Sequence, residues 1–297
     1  MQAPATAVLG GLLRAARPRQ WVKNLLVFIA PLAAATVDHW SVVGNAAVAF
    51  ACFCLAASGT YLVNDSIDAE ADRLHPVKCK RPIASGLVPV PLALGTAGIL
   101  MAGGVVLALA MSGWRLGVVM AVYLAISLSY STYLKRVPVV ELAAVASGFV
   151  LRAVAGGVAT NLRLSSWFLI VISFGALFVV VGKRNAEHRR LGEAGREHRA
   201  VLADYSASFL ESAATLSAGV TVTAYCLWAF EHAVAVRHGG EVWLQLSIVP
   251  VVIAILHVLR LLGRGEGGEP EDLVLRDHLV QMLGVAWAAC LGLGIYG

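Results

Sequence analysis

Charged residues are few in this chain. Asp, Glu, Lys and Arg make up 14% of its 297 residues, where a soluble domain carries about 25%. The deficit is uneven: none of the four occurs in Trp40–Val63, Leu87–Gly113 or Leu116–Leu134. A hydrocarbon core is crossed by about 20 apolar residues of helix. One such run could be a buried helix of a soluble protein, but several in series exclude a water-soluble globule. Cysteine is also sparse. Cys52, Cys54, Cys79, Cys226 and Cys290 are odd in number, lack metal-ligand spacing, and all but Cys79 lie in apolar runs. That excludes a disulfide framework and makes them small apolar residues. No internal repeat, no low-complexity linker and no clear signal-peptide cleavage site is found. The expectation is a single membrane domain over residues 1–297. Thr6 to Ala16 reads either as a short helix on the membrane surface or as a frayed tail.

What is present is apolar: 59% of the residues are hydrophobic. The fold class expected is all-α and polytopic, with nine transmembrane helices near 22–37, 41–63, 87–112, 115–134, 138–159, 164–182, 209–231, 242–261 and 278–296. Cytoplasmic loops retain Lys and Arg. With the N-terminus cytoplasmic, nineteen of the 23 basic residues fall on the inside, and Arg115, Arg163 and Arg237 fall outside. Arg152 lies within the fifth span. The net charge of +5 therefore belongs mainly to one face, where topology accounts for much of it and anionic headgroups would be attracted. Nucleic acid is an unsuitable partner, because no soluble module is there to hold it.

The second span ends in Asn64-Asp65-Ser66-Ile67-Asp68-Ala69-Glu70-Ala71-Asp72. If the helix continues, Asp65, Asp68 and Asp72 fall at i, i+3 and i+7 and share one face, with Asn64 four residues before Asp68. Carboxylates this close repel. A hard divalent cation such as Mg²⁺ relieves the repulsion and binds through a few carboxylates plus substrate phosphates. Arg73, His75, Lys78, Lys80 and Arg81 follow within ten residues, so cations for phosphates stand beside carboxylates for a metal. A solvated helix end of mixed charge is the bland alternative. The spacing, the asparagine and the position at the membrane edge favour a metal-bridged diphosphate site.

An NDxxDxxxD motif after the second of nine spans resembles the first aspartate-rich motif of the UbiA prenyltransferase superfamily, and span count and motif placement carry the likeness over essentially the whole chain. The resemblance implies helices around a central cavity open to lipid, with a diphosphate held through Mg²⁺ at the cytoplasmic end. Ordinary members have a second motif, DxxxD, after the sixth span. Here Gly182 is followed by Lys183-Arg184-Asn185-Ala186-Glu187, which suggests a site facing more phosphate and puts a second metal in doubt. The fuller pattern is similar to the decaprenyl-phosphate phosphoribosyltransferases of arabinan synthesis. It is carried by Arg17-Pro18-Arg19-Gln20-Trp21-Val22-Lys23-Asn24, by Arg81-Pro82-Ile83-Ala84, by Val137 to Leu142, by Ser147 to Ala153, by Gly182-Lys183-Arg184 and by Gly268 to Asp272. The implied reaction joins 5-phosphoribosyl 1-diphosphate to a polyprenyl phosphate at the plasma membrane.

On this reading Asp65, Asp68 and Asp72 are the metal ligands and catalytic acids. Asn64, Lys23, Lys78, Lys80, Arg81, Lys183, Arg184 and Glu187 surround the phosphates. Tyr130 and Lys135 resemble a tyrosine–lysine pair of relatives, though an interface tyrosine and a positive-inside anchor fit equally well. Arg152 is costly inside a span and should face the bundle interior, reaching either a phosphate or a carboxylate of another helix. His75 reads as a loop histidine. An aromatic prenyltransferase of quinone or lipid synthesis is the rival enzyme, and it should keep the missing DxxxD. A transporter is the rival of another class, but transporters place polar residues at the midplane and often have matched halves. Homo-oligomerisation is left open.

Overall fold

A computed structural model describes residues 4–198, 200–233, 240–264 and 276–296. All regular structure among the described residues is helical. The helices are α1 (Ala5–Ala15), α2 (Ile29–Ala33), α3 (Trp40–Ile67), α4 (Ala69–Leu74), α5 (Val90–Ser112), α6 (Trp114–Thr132), α7 (Val140–Ala159), α8 (Ser166–His198), α9 (Ala207–Ala233), α10 (Gly240–Leu246), α11 (Ile248–Gly263) and α12 (His278–Tyr296), with a 3-10 segment at Pro18–Phe28. Eight helical stretches among the described residues are long and apolar enough to cross a bilayer, α10 and α11 counting together as one.

The expected first span, 22–37, is not a helix of that kind. It is the 3-10 segment followed by the five residues of α2. Two prolines explain the departure. Pro18 opens the segment behind Arg17, whose backbone is left-handed (φ 55°, ψ 60°). Pro31 has no N–H to offer the Val27 carbonyl four residues back, and its ring crowds that carbonyl. The segment nevertheless runs antiparallel along α3. Arg17 meets Asp65, Trp21 Nε1 donates to Ser58 Oγ at 3.1 Å, Asn24 Nδ2 donates to Cys54 Sγ at 3.2 Å, and the Phe28 ring lies 6.3 Å from Phe50. At about 2.0 Å per residue in 3-10 and 1.5 Å in α geometry, the segment and α2 together reach about 30 Å, the depth of a hydrocarbon core.

The chain divides into two compact units, residues 1–135 with 151–163, and residues 136–150 with 164–297. In the first, α3 packs with small residues. Ala46, Ala49, Cys52 and Ala56 are fully buried with Phe53, Leu116 and Met120, and a Cβ on Gly104 of α5 would stand 2.9 Å from the Cys52 carbonyl. In lipid the hydrophobic effect does not drive helices together, so such close backbone approach is what holds them. In the second unit, Leu210, Ala214 and Ala218 of α9 pack with Phe178, Val180 and Val181 of α8. Trp287, Tyr225 and Ser247 form a hydrogen-bonded chain linking α12, α9 and the α10–α11 junction, at 2.7 and 2.8 Å. Asp277 accepts the Val280 N–H at the start of α12 and meets His257 Nε2 at 3.0 Å. The His257 bond, and then that amide, hold its carboxyl below the usual range.

The closest approach is at Gly156 of α7, where a Cβ would fall 1.8 Å from the Val27 carbonyl oxygen. Gly156→Ala should force the 3-10 segment away from α7 and destabilise the protein by about 1–3 kcal/mol. Gly44→Ala, where nothing lies within 4 Å, should be neutral or slightly stabilising. Thermal unfolding of the two variants in detergent checks the contrast.

Candidate functional site

The aspartate-rich motif lies where α3 gives way to α4. The helix does not run straight through it. α3 ends at Ile67, Asp68 sits at the joint with φ −85° and ψ 1°, and α4 restarts at Ala69. The Asp68 N–H to Asn64 carbonyl and Asp72 N–H to Asp68 carbonyl bonds, at 2.9 and 2.8 Å, still carry the helical ladder across the joint, but the three expected acids do not converge. Asp65 and Asp72 stay together and are buried, at 2% and 4% exposure. Asp68 is half-buried and turned to other partners. Among the described residues, no group of three acids, histidines or cysteines is placed to hold a metal unaided.

Each of the three aspartates of the motif is answered by a cation. Arg81 bridges the buried pair, with Nη1 donating to Asp65 Oδ1 at 3.1 Å and to Asp72 Oδ2 at 2.7 Å. Arg17 Nη2 donates to the same Asp65 oxygen at 2.6 Å. Lys135 Nζ donates to Asp68 Oδ1 at 2.6 Å, and Asn64 Nδ2 to Asp68 Oδ2 at 3.1 Å. Buried carboxylates without such partners would be costly to ionise. The cations come from three places far apart in the chain: the turn before the 3-10 segment, the loop after α4, and the end of α6.

The other expected residues divide. His75 Nδ1 accepts the backbone N–H groups of Val77 and Lys78, at 3.1 and 3.3 Å. It therefore shapes the loop that carries half-buried Lys78 and exposed Lys80. Lys23 is half-buried on the 3-10 segment, and Tyr130 half-buried on α6. Arg152, 7% exposed, turns to Asn24 and Tyr123. Its Nε donates to Asn24 Oδ1 at 2.7 Å and its Nη2 to the Tyr123 hydroxyl at 3.2 Å. Its guanidinium also lies 5.3 Å over the Phe53 ring.

In the second unit, Arg184 forks onto Glu141 through two 2.8 Å bonds, both side chains being almost fully buried, and also reaches Glu187 at 3.0 Å. Glu141 is thus engaged by Arg184. Tyr205 accepts the Val139 N–H at 2.7 Å just before Glu141, and burial pushes its phenol up. Lys183 is half-buried beside this pair. Asp204, just before Tyr205, is exposed. Glu269, Glu271 and Asp272 lie outside the described residues.

Sequence reasoning missed Arg17 as a partner of Asp65, the Asn24–Arg152 bond and the Glu141–Arg184 pair. One signal for the last two was available: an ionised group buried inside a span must find a partner.

A hit to the UbiA prenyltransferase family covers residues 25–280. This chain belongs to that family. It is 43% identical to the decaprenyl-phosphate phosphoribosyltransferase of Mycolicibacterium smegmatis, over 99% of this chain and 95% of that one. It is 45% identical to the protein of the same description from Mycobacterium tuberculosis, over 98% and 96%. Among solved structures, a UbiA homologue from Archaeoglobus fulgidus bound to DMAPP and Mg²⁺ matches with a TM-score of 0.72. That likeness covers 95% of this chain and 97% of that one at 17% identity, so it bears on the fold alone.

The donor set suits a magnesium ion. Mg²⁺ takes hard oxygens and commonly binds through one or two carboxylates plus substrate phosphates, keeping several waters. Asp65 and Asp72 supply two such carboxylates, held rigidly and nearly dry.

The Glu141–Arg184 pair gives a separate expectation. Glu141→Gln leaves a buried guanidinium facing a neutral amide and should cost roughly 3–5 kcal/mol of stability. Replacing both, as Glu141→Gln with Arg184→Met, should recover a large part of that loss. Unfolding of the two single variants and the double variant measures the coupling.

Proposed function

We propose that this chain transfers 5-phosphoribose from 5-phospho-α-D-ribose 1-diphosphate to decaprenyl phosphate. The products are decaprenylphosphoryl-5-phosphoribose, a precursor for cell-wall arabinan, and diphosphate. The observation that carries the reading is likeness over nearly the whole chain, at 43% and 45% identity, to proteins of that description. The family match runs through both compact units, which supports reading them as one catalytic domain.

The chemistry follows from the side chains. The acceptor phosphate is already an anion, so its oxygen attacks ribose C1 without a general base. The bond from C1 to the diphosphate oxygen breaks as the new bond forms on the opposite face, with inversion. Negative charge builds on the departing diphosphate, and preorganised cations stabilise it. Asp65 and Asp72 would hold Mg²⁺, with Asp68 and Asn64 at the rim. When bound, Mg²⁺ neutralises part of the charge on the diphosphate oxygens. Arg81, whose side chain is 28% exposed, presents its outer N–H groups toward the phosphates. Lys78 and Lys80 share its loop, Lys23 approaches from the 3-10 segment, and Lys135 holds Asp68 with Tyr130 one turn behind. On the second unit, Arg184 is held by the buried pair with Glu141 and also meets Glu187. Arg152 anchors the 3-10 segment through Asn24.

The enzyme is read as a multi-pass protein of the plasma membrane with this site facing the cytoplasm. The 3-10 segment and α2 would make the first of nine crossings, which returns the chain to the start of α3 on the far side. The basic residues support that orientation. Cys79 sits in the loop with Lys78 and Lys80 and outside every span. An impermeant maleimide should therefore leave Cys79 unlabelled in intact cells and label it after permeabilisation. Labelling of intact cells would place the loop outside.

The activity is checked with purified protein, labelled phosphoribosyl diphosphate and polyprenyl phosphate. A labelled lipid and free diphosphate should form, and Asp65→Asn or Asp72→Asn should lower the rate on the order of 10²-fold or more. Turnover only with a prenyl diphosphate and an aromatic acid would instead identify an aromatic prenyltransferase.

A further inference from the structure

We propose that Arg17 is a further ligand for the donor's phosphates and a competitor of the metal cation for Asp65, so that metal and donor load onto this site together. The inference rests on the phosphoribosyl-transfer reading and deepens it.

Three observations converge on Arg17. Its Nη2 lies 2.6 Å from Asp65 Oδ1, the same oxygen that Arg81 reaches at 3.1 Å. Its backbone is left-handed, with φ 55°, a conformation that costs a non-glycine residue energy and persists where surrounding structure enforces it. Its guanidinium stacks 4.8 Å over the ring of Tyr61 on α3, a contact favourable to a cation. Together the strained turn, the ring and the carboxylate fix where the charge sits. The side chain is 30% exposed and the Asp65 side chain 3%, so Arg17 covers the acid while one edge of its fork meets solvent. A guanidinium has five N–H donors, and one carboxylate oxygen occupies few of them.

Charge neutrality then constrains loading. Asp65 and Asp72 carry two negative charges, and Arg17 and Arg81 carry two positive ones. A divalent cation joining this cluster alone must displace guanidinium groups from a carboxylate and leaves their charges uncompensated. A donor bearing a diphosphate and a 5-phosphate supplies the missing anions. The guanidinium groups released from Asp65 are then within a side chain's swing of the phosphates, where planar forks bind oxyanions well. Metal and donor should each strengthen binding of the other, as reciprocal coupling requires.

The test compares the native full-length protein in detergent with Arg17→Gln and Arg17→Lys. Binding of Mn²⁺ alone is followed by electron paramagnetic resonance, and KM is measured for both substrates. In Arg17→Gln one competing charge is gone, so Mn²⁺ alone should bind about fivefold tighter or better. KM for phosphoribosyl diphosphate should rise about tenfold, the equivalent of one charged hydrogen bond, and KM for polyprenyl phosphate should stay unchanged. Arg17→Lys keeps the charge but not the fork. It should bind Mn²⁺ as the native protein does and still show a raised donor KM. Unchanged or weaker Mn²⁺ binding in Arg17→Gln overturns the proposal, as does an unchanged donor KM or a parallel rise in both KM values. If Arg17→Gln does not fold, a native donor KM in Arg17→Lys overturns it. A native protein that transfers no phosphoribose removes the underlying reading as well. A native protein that transfers it while the variants miss these outcomes removes only the role of Arg17.

Discussion

A carboxylate taken out of water must meet a cation or lose its charge, and this chain buries two of them side by side. Asp65 and Asp72 are nearly dry, and the Arg81 guanidinium between them offsets their mutual repulsion. Much of the first unit is arranged around that requirement. The loop after α4 brings Arg81 back over the motif. The left-handed turn at Arg17 adds a second guanidinium, and the end of α6 brings Lys135 to Asp68. On the proposed reading, an acid pair matched by arginines from separate elements is poised for exchange. A small divalent cation can take the carboxylates, and the arginines can take phosphate.

The 3-10 segment connects this charge cluster to the apolar packing of the bundle. It begins at Arg17, on Asp65, and descends along α3 through Trp21, Asn24 and Phe28. Asn24 is pinned from the other side by Arg152, and the Val27 carbonyl is pressed against Gly156. A regular α-helix would turn these groups elsewhere. The tighter geometry keeps Asn24 and Val27 directed into the protein while Val22 and Leu25 stay exposed. The buried Arg152 serves there as an anchor: it hydrogen-bonds an amide and a phenol that are buried with it, and aromatic rings face its charge.

Much of the fold was legible from periodicity and the lack of charge. The apolar runs became α3, α5 and α6 within a few residues of their expected ends, because long uncharged stretches have few other solutions in lipid. The NDxxDxxxD spacing pointed to the right place. What it hid was that Asp68 turns to Asn64 and Lys135 while Asp65 and Asp72 share Arg81. The non-helical character of 22–37 was half visible, since Pro18 and Pro31 bracket it. The pairs Arg17–Asp65, Asn24–Arg152 and Glu141–Arg184 join residues 43 to 128 positions apart, and a single sequence carries no record of which distant charges meet. Arg184 reaches both Glu141 and Glu187, and only the second of these, three residues on, is a local spacing.

The account comes down to an exchange of partners at Asp65 and Asp72. An experimental structure of the protein with Mg²⁺ and phosphoribosyl diphosphate tests it most directly. The cation should bridge these two carboxylates to the diphosphate, with the guanidinium groups of Arg81 and Arg17 moved onto phosphate oxygens. A donor bound elsewhere, with both arginines still seated on the acids, would contradict it.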